Sequence, residues 1–352
     1  MEPLIFRITD IAPETRDAAT LKLEPVGGEL YVPGKMPAYE AGQFLTFLLT
    51  LRGRALRRSY SICSAPGVDP FLAVTIKRVA NGEVSRYLLD HCRVGDTLVS
   101  LPPFGRFTLA THPQQQRNIF FIAAGSGMIP VFSLLKKVLR EEPLSRVTLL
   151  SQDRDEDSIL FRKSLAVLRV RFPLSFHWSA FLSKPADPRI NGRHLNSTIL
   201  EETVGRQGAS VPDAETLFFL CGPLPFMRMS WFTLRVMGIE ERQIKKENFT
   251  VDAVPAPPVS TDNRPRRVTI HYRQKTCTIR VAYPDTILTA ALHQGIPLPY
   301  SCRGGRCSAC MARCLDGQVK MSINEVLSEK DLEQGWVLTC VGYAETDAEI
   351  TV

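Results

Sequence analysis

NIFFIAAGSGMIPVFSLLKKVLREE, residues 118–142, passes from an unbroken apolar run through a glycine turn into a helical pattern. The run Ile119–Ala124 has no polar interruption, as a strand covered on both faces requires. Gly125 and Gly127 permit a tight turn and a close backbone approach to a pyrophosphate. The helix that follows offers unpaired N–H groups and the positive end of its dipole. Pro130 suits the first helical turn, where its missing N–H has no partner to lose. A plain structural βα turn looks the same, so G-x-G-x-x-P needs other signals beside it.

Downstream the order repeats. RVTLLSQ at 146–152 reads as a strand, a helix is expected over 158–168, and LSFHWSAF at 174–181 reads as another strand. TLFFLCGPLPFMRMSWFTLRVMG at 216–238 is again strand, turn and helix. Strands alternating with helices predict a parallel sheet with right-handed crossovers. The second turn holds Cys221, Gly222 and Pro223 at a strand end, where an open α/β sheet takes its ligand. A thiol there suits contact with a nicotinamide ring; a buried small residue is the plainer reading.

Upstream, FLTFLLTL at 44–51, FLAVTIKRV at 71–79 and DTLVSLPPFGRF at 96–107 are short apolar stretches parted by turn residues, which predicts an antiparallel barrel or sandwich. Beyond the α/β region, VDAVPAPPVSTDNRP at 251–265 reads as an extended linker on which a last domain would swing. RRVTIHYRQKTCTIRV at 266–281 follows as a hairpin, and ILTAALHQG at 287–295 as a short helix. The expected division is 1–112, 113–250, the linker 251–265 and 266–352, in a chain of 352 residues.

Hydrophobic residues form 44% and charged residues 22% of the chain, an ordinary globular balance. MEPLIFRITD lacks the basic and apolar regions of a signal peptide, and no apolar run approaches the roughly 18–20 residues of a membrane span. A cytoplasmic protein is expected, with a monomer the simplest state. Residues 265–352 hold ten Lys/Arg and nine Asp/Glu, so most of the net +7 lies earlier in the chain. That excess suits an anionic nucleotide, an acidic protein partner, or only a solvated surface. No basic run is interleaved with aromatics, which excludes a nucleic-acid binder.

Nine cysteines in such a chain point to metal or redox chemistry before disulfides. SCRGGRCSAC at 301–310 spaces Cys302, Cys307 and Cys310 as C-x4-C-x2-C, with Cys340 after 29 residues. That is the plant-type [2Fe–2S] spacing. Three thiolates from one tight loop need small residues between them, here Gly304, Gly305, Ser308 and Ala309, so that backbone N–H groups reach the sulfurs. A zinc knuckle would want a second C-x2-C pair, and the nearest histidine is His293. Cys277 and Cys314 fall outside the pattern and read as packing residues.

Residues 265–352 therefore resemble a plant-type ferredoxin, which implies Cys302, Cys307, Cys310 and Cys340 as cluster ligands. The near-neutral charge departs from the acidic free ferredoxins and suits a tethered module. RRSYSICSAP at 57–66, GEVS at 82–85 and the loop at 125–130 together resemble the ferredoxin–NADP reductase family over roughly residues 1–250. The resemblance implies an FAD-binding β-barrel before a nicotinamide-nucleotide domain. Arg58, Ser59, Tyr60 and Ser61 would hold the flavin, Ile76, Lys77 and Arg78 would pass along its ribityl and adenine side, and Gly82, Val84 and Ser85 would cap its pyrophosphate. Gly125, Gly127 and Pro130 would take the nicotinamide dinucleotide, with Cys221, Gly222 and Pro223 at the hydride donor. In KENF, 246–249, Glu247 and Phe249 would stand at the flavin ring. Ile129 replaces the family's frequent threonine. Arg154 would meet a 2′-phosphate, but Asp153, Asp155, Glu156 and Asp157 surround it, so NADH and NADPH both stay open, with NADH favoured.

The domain order is similar to that of oxygenase reductase components of the phenylacetyl-CoA epoxidase and 3-ketosteroid hydroxylase type. This implies electron flow from NADH or NADPH through FAD and a [2Fe–2S] cluster to a terminal oxygenase or hydroxylase. A different acceptor, such as a hybrid-cluster protein or a desaturase, and a non-enzymatic redox sensor are the alternatives. The arginines Arg303, Arg306 and Arg313 read as contacts to the flavin domain or the acceptor.

Overall fold

The computed structural model describes residues 3–28, 32, 35–187, 189–208, 215–249 and 264–352. They fall into two compact units, Met1–Phe249 and Thr250–Val352. Of the expected linker, 251–263 lie outside the described residues.

The first unit begins with six antiparallel strands: β1 Leu4–Thr15, β2 Ala18–Gly28, β3 Phe44–Leu51, β4 Arg54–Ser61, β5 Leu72–Lys77 and β6 Thr97–Phe104. Their order is β4-β3-β6-β1-β2-β5, and an Ile62–Val74 bridge joins the end of β4 to β5, curling the sheet toward closure. Alternation is visible in β1 and β2, which turn Phe6, Ile8, Leu21 and Leu23 inward. Helix α1, Glu83–His91, covers one mouth through Val84 and Leu88.

Five parallel strands follow: β7 Arg117–Ala124, β8 Arg146–Asp153, β9 Phe176–Leu182, β10 Glu215–Cys221 and β11 Ile244–Glu247. Between them run α2 Met128–Glu141, α3 Arg162–Arg171, α4 Ser197–Gly208 and α5 Leu224–Val236. Every residue of β7 is buried, as its unbroken apolar run predicts. The expected helix at 158–168 is instead a short turn at Glu156–Ser158 and then α3 from Arg162, because Asp155 and Ser158 cap each other across that turn. The order β11-β10-β7-β8-β9 reverses direction between β7 and β10. A ligand crevice opens at such a switch point, beyond the carboxyl ends of the strands.

The barrel and this sheet share one core. Ala41, Cys63, Ala73 and Phe107 pack with Ile119, Phe121 and Leu135. A Lys136–Asp69 ion pair and a bond from Lys245 Nζ to Thr108 O (2.6 Å) tie the rims. Each large side chain so buried contributes about 1.5–3 kcal/mol.

The second unit comprises β12 Arg266–Tyr272, β13 Lys275–Val281, α6 Ile287–His293, β14 Met311–Asp316, β15 Val319–Met321, α7 Glu329–Glu333, β16 Trp336–Leu338, β17 Gly342–Ala344 and β18 Ala348–Thr351. Its main sheet runs β13-β12-β18-β14-β16, with β12 and β18 parallel and α6 buried against it through Ile287, Leu288 and Ala291. A helix lying across a mixed sheet of this kind is a β-grasp-like arrangement, and the loop 301–310 leads into β14.

Candidate active site and cluster loop

Strand β4 carries the first constellation. Its partner β3 sets Leu45 opposite Tyr60 and Phe47 opposite Arg58, so Arg58 and Tyr60 project to one side. The Tyr60 ring lies against buried Phe47, centroids 5.8 Å apart. Burial raises the Tyr60 phenol well above its ordinary value, so it stays a neutral donor. Ser59 Oγ meets Thr46 Oγ1 at 3.0 Å, while Ser61 is buried at the strand end. Arg58 is exposed, with Nη1 on Arg57 O.

Across the barrel, Ile76 is in the core, Lys77 lies 3.9 Å from Asp17, and Arg78 Nη1 donates to Asp90 (3.0 Å). Gly82 precedes α1. A Cβ there would fall 2.6 Å from Ser85 Oγ and 2.7 Å from Val79 Cβ, so only glycine fits while Ser85 Oγ accepts from Val79 N. The first-turn N–H groups of α1 are left open to an anion.

At the switch point the loops after β7 and β10 interlock. A Cβ on Gly127 would sit 2.1 Å from Cys221 O and 2.8 Å from Gly222 N; Gly125 takes φ +54°. Pro130 lies in the first turn of α2, and Pro223 precedes α5. Parallel pairing sets Cys221 opposite Glu247. The Cys221 thiol has no exposure and is pushed well up, by burial first and the Glu247 charge second. Burial pushes the Glu247 carboxyl up to about 8, and its Oε2 has no hydrogen-bond partner. An orphaned buried carboxyl beside a cradle that a methyl would fill fits a ligand group seated at this crevice. Phe249, just beyond β11, is 40% exposed and so is not a core residue. Beyond β8, Arg154 is exposed and approaches Asp155 at 3.9 Å, while buried Asp153 is pushed up to about 7, chiefly by burial.

In the second unit the cysteines stand as two pairs. The Cys302 thiol neighbours that of Cys307, and the Cys310 thiol that of Cys340, closely enough for Cys302 and Cys307 to shift each other's titration and for Cys340 to shift that of Cys310. Among the described residues no three or more His, Cys, Asp or Glu converge as a single-ion site would. Two pairs of thiols suit a two-iron cluster with two thiolates per iron. Backbone N–H groups already aim at the sulfurs: Gly304 N to Cys302 Sγ at 3.3 Å and Cys302 N to Cys307 Sγ at 3.4 Å. The Cys307 thiol first, and then the backbone N–H groups of Gly304, Arg306 and Cys307, hold the Cys302 thiol down to about 6. Thr339 donates to Cys310 O from both N (3.1 Å) and Oγ1 (3.0 Å), which clamps the Cys340 segment to the loop. Cys340 lies in the turn after β16, two residues past the end of that strand.

Family models describe an oxidoreductase FAD-binding domain at residues 28–109, an oxidoreductase NAD-binding domain at 121–231 and a 2Fe-2S iron-sulfur cluster binding domain at 270–345. The chain is 31% identical to the ferredoxin reductase component of 3-ketosteroid-9-alpha-monooxygenase from Mycobacterium tuberculosis (strain CDC 1551 / Oshkosh), over 99% of this chain and 95% of that protein. It belongs to this family of flavin- and cluster-containing reductases.

The reductase is also 32% identical to one of the subunits of 1,2-phenylacetyl-CoA epoxidase from Escherichia coli (strain K12), over 95% of the chain and 92% of that protein. Phthalate dioxygenase reductase shares the fold at a TM-score of 0.59 and 20% identity, covering 99% of this chain and 97% of that one. The reductase thus uses FAD, a nicotinamide nucleotide and a [2Fe–2S] cluster.

One expectation needs correcting. Arg306 does not reach outward, since its side chain is only 8% exposed and turns onto Glu325. Arg313 Nε donates to Gln334 O (3.1 Å). Arg303 does face solvent, its guanidinium 4.3 Å from the Tyr300 ring centre. Glu325 and Thr339 went unseen in the sequence because their partners lie 19 and 29 residues away.

Glu247 gives the flavin-free reductase a signature in pH. Its ordinary value is 4.5, so between there and about 8 the folded chain holds a proton that the unfolded chain releases. Stability therefore falls as pH rises through that window, by up to about 1.4 kcal/mol per pH unit. Asp153 adds a slope of the same sign between 3.8 and about 7. The E247Q variant should show a shallower loss of stability in urea unfolding from pH 5.5 to 7.5; an unchanged slope would contradict the buried, protonated carboxyl.

Proposed function

We propose that the reductase passes electrons from NADH to an oxygenase or hydroxylase partner, using residues 1–112 for FAD, 113–250 for the nucleotide and 266–352 for the cluster. The observation that carries this is the pairing of Cys221 with Glu247 beside the Gly127 cradle, in one chain with two cysteine pairs. When bound, FAD supplies the change from two-electron to one-electron chemistry, and the cluster a one-electron relay.

The chain's own groups bind and orient. Arg58 offers a cation to the flavin phosphates, the Tyr60 ring a flat face braced by Phe47, and Ser59 and Ser61 short hydroxyls along the strand. Ile76, Lys77 and Arg78 line the adenine side, and Gly82, Val84 and Ser85 present the first-turn N–H groups of α1. Gly125, Gly127 and Pro130 admit the dinucleotide, with Gly222 and Pro223 closing the crevice. Cys221 packs an uncharged thiol at the hydride-transfer locus, and Glu247 holds a proton on its carboxyl there near neutral pH. Phe249 lends an exposed ring to cover the isoalloxazine when no nicotinamide is seated. Arg154 meets the adenosine ribose; Asp153 and Asp155 beside it disfavour a 2′-phosphate and support NADH over NADPH. Cys302, Cys307, Cys310 and Cys340 hold the two irons.

No helix among the described residues is long and apolar enough to cross a membrane. We place the reductase in the cytoplasm as a monomer, where reducing conditions keep the thiolates free for iron. Anaerobic titration with NADH, followed by absorbance, tests the reading. The flavin bands should bleach together with the iron–sulfur shoulder, and NADPH should be needed in excess. A colourless protein containing zinc would overturn the assignment, and turnover with a desaturase or hybrid-cluster protein alone would redirect the partner.

A further inference from the structure

Arg306 lies inside the cluster loop, next to Cys307. Nothing in a C-x4-C-x2-C spacing requires a guanidinium there, and a solvated cation is the ordinary outcome at a loop. Yet its side chain keeps only 8% of its exposure, and Nε donates to Glu325 Oε2 at 3.1 Å, with the Glu325 side chain 29% exposed. Glu325 N also donates to Gly305 O at 3.2 Å. Gly305 is pressed so closely to the same segment that a Cβ would fall 2.8 Å from Ile323 Cγ2. Asn324 fixes the segment's shape, its Oδ1 accepting from Val326 N (3.2 Å) and Leu327 N (2.8 Å). Residues 323–327 thus form a strap over the loop that carries Cys302 and Cys307, with one ion pair as its charged rivet.

Stability alone does not account for that pair. Removing two charges from water largely cancels their attraction, and apolar residues of similar volume do as well or better. What an apolar pair cannot supply is a field. A fixed cation beside a centre that gains one negative charge on reduction favours the reduced form, and a carboxylate opposes it.

We propose that Arg306 and Glu325 are positioning residues that set the reduction potential of the cluster, Arg306 raising it and Glu325 limiting the rise. The inference rests on the assignment of Cys302, Cys307, Cys310 and Cys340 as cluster ligands. The step concerned is the arrival of one electron at the cluster, with no bond made and no proton moved.

The test is a redox titration of the full cluster-loaded chain, monitored by electron paramagnetic resonance. R306Q should lower the cluster potential and E325Q should raise it. Each change should be about tenfold in the one-electron equilibrium, or ~59 mV. R306K, which keeps the charge, should stay close to the parent chain. A merely structural strap would loosen in both neutral variants, admit water to the cluster and shift both potentials in one direction. Shifts of the same sign, or none, overturn the proposal. Should R306Q fail to retain iron, E325Q above the parent and R306K beside it still decide the matter. Absence of any [2Fe–2S] signal in the parent chain would overturn the ligand assignment itself, a result distinct from two potentials that refuse to diverge.

Discussion

Cys340→Ser is expected to stop electron delivery to a one-electron acceptor while leaving NADH-driven bleaching of the flavin intact. Cys340 is buried and its thiol neighbours that of Cys310, so its loss should remove one of the four donors proposed for the cluster. Thr339 holds the segment against Cys310 O through two hydrogen bonds, so the serine oxygen would occupy the same place. The variant therefore changes the donor and not the loop. A hydroxyl with a far higher pKa than a thiol does not replace a thiolate on iron. Disturbing groups that only support a metal ligand costs 10–100-fold, and loss of a ligand should reach at least the upper end, about 100-fold, in cytochrome c reduction. Iron content and stopped-flow bleaching separate the outcomes. Equal loss of both rates would mean that Cys340 supports the whole chain, and full cytochrome c activity would remove it from the cluster.

Gly127→Ala is the second large effect. The added Cβ would meet Cys221 O at 2.1 Å and Gly222 N at 2.8 Å. These are backbone atoms at the end of β10, held in register with β7 and β11, so no side-chain rotation relieves the clash. The two loops must part, and the nicotinamide seat between them moves by a good fraction of an ångström. Misplacement on that scale costs about 100-fold in hydride transfer. We expect kcat/KM for NADH to fall by that order while bound FAD is retained, because Tyr60 on β4 and Gly82 before α1 belong to neither of the two loops that must part. Gly125→Ala is the contrast. Its Cβ would meet nothing within 4 Å, and only the φ of +54° resists it, a strain of roughly 1–2 kcal/mol. If Gly127→Ala behaved like Gly125→Ala, the interlocked loops would not be what shapes the seat.

What the sequence discloses here follows the range of the interactions. Strands β3, β7 and β8 are legible because their burial is written in consecutive residues, and the cysteine loop because three of its cysteines are nearly contiguous. The strand–turn–helix order reads directly into the parallel sheet. Helix α1 is harder, since only Val84, Ser85 and Leu88 among its residues are buried. Two features of the site are unreadable in advance. The meeting of Cys221 and Glu247 depends on strand pairing across 25 intervening positions, and burial alone makes that carboxyl hold its proton. Likewise Arg306 reads as an outward cation until the strap at 323–327 is in place.

The central claim is that nicotinamide electrons reach a cluster held by Cys302, Cys307, Cys310 and Cys340. Rapid freeze-quench of the anaerobic reductase after mixing with NADH tests it most directly, read by electron paramagnetic resonance against flavin absorbance on the same time axis. The account predicts flavin bleaching first, then a reduced [2Fe–2S] signal that is absent from the Cys340→Ser chain. Flavin bleaching with no cluster signal in the parent chain, or an unchanged signal in Cys340→Ser, would contradict it.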